Sequence, residues 1–174
     1  MKVRRAKPED AALIAETHVL GWQGGYRGLL PQDYLDGMQA DGRRLERWAR
    51  TLEAPDWSRG GVLVAEQDDG QLAGFARFGA TRDEDDDPAR VGEVYSIYLA
   101  PTAWGQGLGR ALMSAALEHL AAAGYGEATL WVLDTNARAR RFYAAAGFSA
   151  DGGAKTDNTY GFPIREVRYR RPLP

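Results

Sequence analysis

The 174-residue chain contains no cysteine. That excludes disulfides, thiol nucleophiles, iron–sulfur clusters and cysteine-ligated zinc together. Its two histidines, His18 and His119, stand too far apart for a helical pair. No HExxH site can form, and Ser-His-Asp chemistry has few places to assemble. An excess of one charge is lacking too. The 22 basic residues meet 24 acidic ones, a net charge of -2, so no global positive field recruits nucleic acid or an anionic membrane. No apolar run approaches the ~20 residues of a membrane span. Met1-Lys2-Val3-Arg4-Arg5 leads into no apolar stretch, so no signal peptide and a cytoplasmic location are expected. What is present, 44% hydrophobic and 26% charged residues, suits one globular domain over residues 1–174.

The hydrophobic period changes along the chain. Residues 2–6 read as a short strand. Pro8-Glu9-Asp10 opens a helix, with the proline early and acids in the first turn. Ala11, Ile14, Ala15, His18 and Trp22 follow helical spacing, and Gly21 to Gly28 breaks it like a loop lining a pocket. A second helical stretch follows Pro31, interrupted near Asp41-Gly42, with Leu45, Trp48, Ala49 and Leu52 on one face. From Gly61 the period becomes that of strands: Gly61 to Glu66, a turn at Asp68-Asp69-Gly70, Leu72 to Phe78, then Arg90 to Ala100. A helix with Leu108, Leu112, Ala116 and Leu120 spaced by four stops at Gly124. A strand at Ala128–Leu133, a short helix from Asn136 to near Gly147, and strands from Phe148 and over Ile164–Arg170 complete the order. This predicts a mixed α/β layer on a largely antiparallel sheet.

The strongest local feature is the turn Trp104-Gly105-Gln106-Gly107-Leu108-Gly109 between a strand and a helix. Its glycines permit a tight bend and close approach to a ligand. The helix beginning there offers free N–H groups and its positive dipole end, an anion site suited to pyrophosphate. No Gly-Lys-Ser/Thr follows, so it is not a Walker loop, and GxGxG is not the dinucleotide spacing. Glycines alone also suit a plain strand-to-helix turn.

Gly107 and Gly109 match the two small positions of the acyl-CoA loop of the GCN5-related N-acetyltransferase (GNAT) superfamily, which the segment resembles; Trp104 stands where that family has Gln or Arg. Downstream, Asn136-x-x-Ala139-x-x-Phe142-Tyr143-x-x-x-Gly147-Phe148 resembles the family's second signature, one helix and one strand away. The order of elements matches across residues 2–171. The resemblance implies a GNAT-like sheet of about seven strands flanked by helices, with a central parallel pair splaying to hold acetyl-CoA, and no metal. It implies transfer of an acetyl group to an amine, small or peptidic, with room for a homodimer; the absence of cysteine makes direct transfer through a ternary complex the expectation, and the charge balance no nucleic-acid or membrane partner. Main-chain groups of Ile97, Tyr98 and Leu99 would hold the pantetheine arm, and Gly105, Gln106, Gly107, Gly109 and Arg110 the pyrophosphate. Asn136 would cap its helix or bond the arm, and Tyr143 would be the general acid. Glu93 would be the base, on one strand face with Tyr95, Ile97 and Leu99 if no bulge intervenes. Trp22, Tyr26 and Tyr95 are candidates for acceptor binding, with Tyr34 beside them. The acidic run Asp83–Asp87 reads as a solvated loop or a steering patch. A non-catalytic acyl-CoA-binding module, and a nucleotide enzyme reusing the glycine turn, are the competing readings.

Overall fold

A computed structural model describes residues 1–54 and 56–174. Seven strands, β1 (Lys2–Arg5), β2 (Gly61–Glu66), β3 (Leu72–Ala80), β4 (Val91–Leu99), β5 (Glu127–Leu133), β6 (Ser149–Asp157) and β7 (Ile164–Pro172), form one sheet in the order β1-β2-β3-β4-β5-β7-β6. All neighbours are antiparallel except β4 and β5. One face carries α1 (Ala11–Gly25), α2 (Gln32–Gly37) and α3 (Gly42–Glu53); the other carries α4 (Leu108–Ala122) and α5 (Ala137–Ala145). Leu112, Ala116 and Leu120 of α4 are fully buried against the sheet. Each leucine so buried is worth about 1.5–3 kcal/mol. Among the described residues, no helix is long and apolar enough to cross a membrane.

Two features differ from the sequence reading, and both shape the site. First, α1 does not stop at Gly21 but continues to Gly25. The glycines that look like breakers are points of close approach. A Cβ on Gly21 would lie 2.8 Å from the Cβ of Tyr98, and one on Gly24 would lie 2.4 Å from Pro101. They let α1 press onto the end of β4. Second, β4 bulges at Tyr95. Arg77 of β3 pairs with Ser96 and Phe78 with Val94, which leaves Tyr95 without a cross-strand partner. The extra residue reverses the alternation. Glu93 and Ile97 therefore face opposite sides of the sheet, and the condition attached to their shared face is not met.

The bulge also bends β4 away from β5. The parallel pairing covers only Val91↔Glu127, Gly92↔Ala128 and Glu93↔Thr129. Beyond Glu93 the two strands diverge, β5 pairing onward with β7 and β4 with β3. A wedge-shaped gap with an unpaired β4 edge remains in mid-sheet.

Candidate active site

The wedge opens into a cleft of about 840 Å³, bounded by the diverging strands, the end of α1, the start of α4 and one side of α5. Ile97, Tyr98 and Leu99 line it with their open edge, and Gly105, Gly107, Gly109 and Arg110 line the end below α4. Gly105 and Gly107 have φ of 76° and 83°, left-handed values that cost other residues about 1–2 kcal/mol. This turn aims main-chain N–H groups into the cleft. The first main-chain bond of α4 is Ala111 N–H to Gly107 O, and among the described residues the N–H groups from Gly105 to Arg110 have no protein acceptor. Free donors converging at a helix N-terminus suit an anion. Gln106 places only its main chain here. Its side chain turns away, donating to Thr102 O at 3.0 Å and accepting from Gln67.

Across the cleft, Asn136 caps α5, its Oδ1 accepting from the Ala139 N–H at 3.1 Å. Two turns beyond Asn136, Tyr143 lines the same wall. Burial, with the neighbouring Tyr98 and Glu166, pushes its phenol well above the usual tyrosine value. A phenol so held stays protonated at neutral pH and can serve as a proton donor. Tyr26, the C-terminal cap of α1, and Tyr95, on the bulge, also face the cleft. Tyr95 spends its hydroxyl on Ala80 O.

The structure does not bring Glu93 or Trp22 to the cleft wall. Glu93 is buried, and both its oxygens are committed: one accepts from the Arg82 main-chain N–H at 2.9 Å, the other from the Arg82 guanidinium at 2.8 Å. Arg82 in turn lies 4.1 Å from the Tyr95 ring centre. Trp22 packs behind Tyr26, with ring centres 4.9 Å apart, in an apolar cluster with Leu30, Leu35 and Ile164. The acidic run keeps Glu84, Asp85 and Asp87 exposed, as a solvated loop does, but it is tied to β7. Asp83, Asp85 and Asp86 enclose the guanidinium of Arg168, and Arg170 pairs with Asp86. Arg138, in the cluster Arg138-Arg140-Arg141 that reads in sequence as a contact for the 3′-phosphate of CoA, stacks 3.4 Å from the Trp104 ring centre across the cleft mouth. One residue escapes sequence reasoning: Glu166 sits half-buried on β7, near Tyr143. A strand glutamate among arginines gives no signal in sequence.

An open strand edge, a free N–H cradle and a protonated phenol on one wall are the parts that hold and cleave an acyl thioester. Residues 29–148 match the model of the Acetyltransferase (GNAT) family. The chain belongs to that family. An uncharacterized N-acetyltransferase of Bacillus subtilis, YuaI, is 36% identical over 135 residues, covering 77% of this chain and 72% of that protein. Among solved structures, the PaiA N-acetyltransferase of Thermoplasma acidophilum, in complex with coenzyme A, superposes with a TM-score of 0.79 at 19% identity, covering 99% and 98% of the two chains. The yncA putative acetyltransferase of Salmonella typhimurium, with acetyl-CoA, gives 0.71 at 23% identity over 100% and 94%. At those identities the structures show the shared GNAT fold, including the mixed seven-stranded sheet with its parallel pair.

Proposed function

We propose that this GNAT protein transfers an acetyl group from acetyl-CoA directly to an amine, with both substrates bound in one cleft. The observation that carries the reading is the unpaired β4 edge running into the free N–H groups at the start of α4. The first binds an extended, amide-bearing chain by adding to the sheet; the second binds a pyrophosphate. Pantetheine diphosphate has both parts, in that order. Acetyl-CoA is here a substrate, held by Ile97, Tyr98 and Leu99 along its arm, by Gly105 to Arg110 at its diphosphate, and by Asn136 from the opposite wall.

An N–H of the β4 edge steadies the carbonyl oxygen as the amine attacks. Tyr143, kept protonated by its surroundings, gives a proton to the departing sulfur. With no cysteine in the chain, no cysteinyl acyl-enzyme can form, in keeping with direct transfer. Glu93 touches the cleft only through Arg82 and Tyr95, so its part is to fix those two side chains.

Thermal unfolding in CoA, acetyl-CoA, NAD and ATP side by side tests the reading. A ligand that binds only the folded state raises the midpoint with concentration. Stabilisation by CoA and acetyl-CoA alone is expected, with acetyl-CoA-dependent thiol release once an amine is supplied. A response to NAD or ATP without one to CoA would overturn it. Binding of acetyl-CoA without turnover of any amine would make the protein a non-catalytic acyl-CoA module.

A further inference from the structure

The mechanism so far lacks a group that removes the amine's proton, and β7 carries an unused carboxylate. Glu166 stands opposite Leu133 of β5 and Lys155 of β6. It lies on the sheet face that bears Leu133 and Ile164 and packs under α1 and α2. It is half-buried, and no hydrogen bond or ion pair among the described residues holds it. Its cross-strand neighbour Lys155 places its ammonium 4.1 Å from the Trp131 ring centre instead. Arg82, the other nearby cation, is bound to Glu93. Burial drives the Glu166 pKa up; Lys155 and Arg82 oppose this, and Asp157 and Glu93 add to it. Around it the phenols of Tyr26, Tyr98, Tyr143 and Tyr160 are all raised, by burial first and by the Glu166 charge among the rest. Trp22 joins three of these tyrosines, with ring centres 4.9 Å from Tyr26, 5.7 Å from Tyr160 and 6.4 Å from Tyr98.

A half-buried carboxylate without a hydrogen bond or ion pair costs free energy that an arriving cation removes. Aromatic faces favour the same cation. Glu166 does not itself line the cleft, but Leu133, opposite it, and Ile164, two residues before it, pack with Trp22 and Tyr26. Tyr26, Tyr98 and Tyr143 are cleft residues, so this side of the sheet adjoins the place where the thioester must lie. We infer that Glu166 receives the ammonium group of a cationic primary amine at the acceptor end of the cleft and takes up its proton. This rests on the acetyl-transfer reading above. One proton passes from the ammonium to the Glu166 carboxylate, directly or through one water. The freed lone pair forms the C–N bond as the C–S bond breaks. Tyr143 gives its proton to the sulfur and is reprotonated from the nitrogen's second proton through water. Glu166 returns its proton to solvent when the amide leaves, so the balance is amide, thiol and one proton.

The test compares wild type with Glu166→Gln and Glu166→Asp, using tyramine, benzylamine and 1,4-diaminobutane as acceptors, with acetyl-CoA affinity measured separately. For Glu166→Gln we expect kcat/KM for the amine to fall about 10²-fold, within the range for losing a general base, and acetyl-CoA affinity to stay within twofold. The wild-type kcat/KM should rise with pH along a limb set by Glu166. That limb should be absent in Glu166→Gln and restored, at lower rate, in Glu166→Asp. The melting temperature of Glu166→Gln should equal or exceed that of wild type, since a half-buried charge without an ion pair is removed. Turnover of Glu166→Gln within threefold of wild type, or an unchanged pH limb, would overturn the inference and leave acetyl transfer standing. A lower melting temperature would make Glu166 a structural residue and overturn it too. Wild type that binds acetyl-CoA but acetylates none of these amines would reject the acetyl-transfer reading itself.

Discussion

At the Gly105–Arg110 end of the cleft the groups on offer are main-chain N–H and C=O. At the other end they are side chains, Tyr26, Tyr95 and Tyr143, brought from α1, β4 and α5. The first end depends on backbone conformation: two left-handed glycines, a helix start and a strand bent by one extra residue. On the function proposed above, it recognises what every acyl-CoA shares. The second depends on which phenols, indoles and carboxylates meet in the fold. It can change its ligand without disturbing the first. One cleft thus separates a fixed substrate from a variable one.

The sharpest way to break this comparison is to damage the main-chain end alone. Gly107→Asp with Gly109→Asp puts a Cβ at a left-handed position and two negative charges beside the N–H cradle. A Cβ on Gly107 meets nothing within 4 Å, so strain and charge, not collision, do the damage there. Calorimetric titration should show acetyl-CoA affinity reduced at least ~100-fold, about 2.7 kcal/mol. Retained affinity would move the diphosphate elsewhere.

The two ends were not equally legible in the sequence. Glycine spacing pointed to the main-chain end because backbone conformation restricts which residue can stand at a position, and the resemblance of the Asn136–Phe148 block to the family's second signature supported it. The element order, and the strands between Gly61 and Leu99, were legible because each is a short, mostly apolar run bounded by turn residues such as Asp68-Asp69-Gly70. The bulge at Tyr95 was not. It is fixed by pairing with β3, and the segment Val91–Leu99 shows no break of its own. Hence Glu93 was read onto the wrong side of Ile97. Gly21 and Gly24 misled for a related reason: a glycine that ends a helix and one that lets a helix approach a strand look alike until the partner is known. Glu166 gave no signal because its neighbours are distant in sequence.

The side-chain end is secured from behind by charge. Arg168, 8% exposed, pairs with Asp85 at 2.8 Å and Asp151 at 2.7 Å, tying β7 to the acidic loop and to β6. Arg168→Ala would leave those carboxylates facing one another, a loss of roughly 3 kcal/mol for breaking a buried pair. Chemical denaturation should show that loss, with acetyl-CoA affinity of the folded fraction unchanged. The same design sets the acid limit of the fold. Burial raises the Asp151 carboxyl, but the Gly153 N–H, Arg168 and Arg170 outweigh it and hold its pKa below the ordinary value. Burial of Asp10 is likewise outweighed by Arg4 and the Lys7 N–H. Groups with depressed folded values stabilise above the unfolded pKa of about 3.9 and lose that contribution as pH falls through the folded one. The melting temperature should therefore be level from pH 8 to about 5 and drop below about 4. A drop beginning near pH 6 would contradict it.

Between the two ends stands Tyr143, which should serve the reaction and neither binding step. Tyr143→Phe keeps the ring and removes the proton. A fall in kcat of about 10²-fold is expected, the low end for general-acid catalysis, with acetyl-CoA affinity and melting temperature unchanged. An unaltered rate would remove the phenol from the acid role and leave protonation of the sulfur to water.

Trp104 is where the main-chain end borrows a side chain, and it offers the finest test of the contrast. Its indole N–H donates to Leu99 O at 3.2 Å, and the Arg138 guanidinium lies 3.4 Å from its ring centre. The indole thus joins the end of β4 to α5, the two lips of the cleft. A stack of this kind is worth about 0.5–2 kcal/mol. If it preorganises the lips, Trp104→Ala should weaken acetyl-CoA about fivefold, near 1 kcal/mol. Trp104→Phe, which keeps the ring and loses only the bond to Leu99, should lose less. Tighter binding in Trp104→Ala would reverse the sign: the stack would then be a plug that the substrate must displace. The entry of acetyl-CoA would depend on side chains as much as the amine's does, and the division of labour between the two ends would hold for the bound state only.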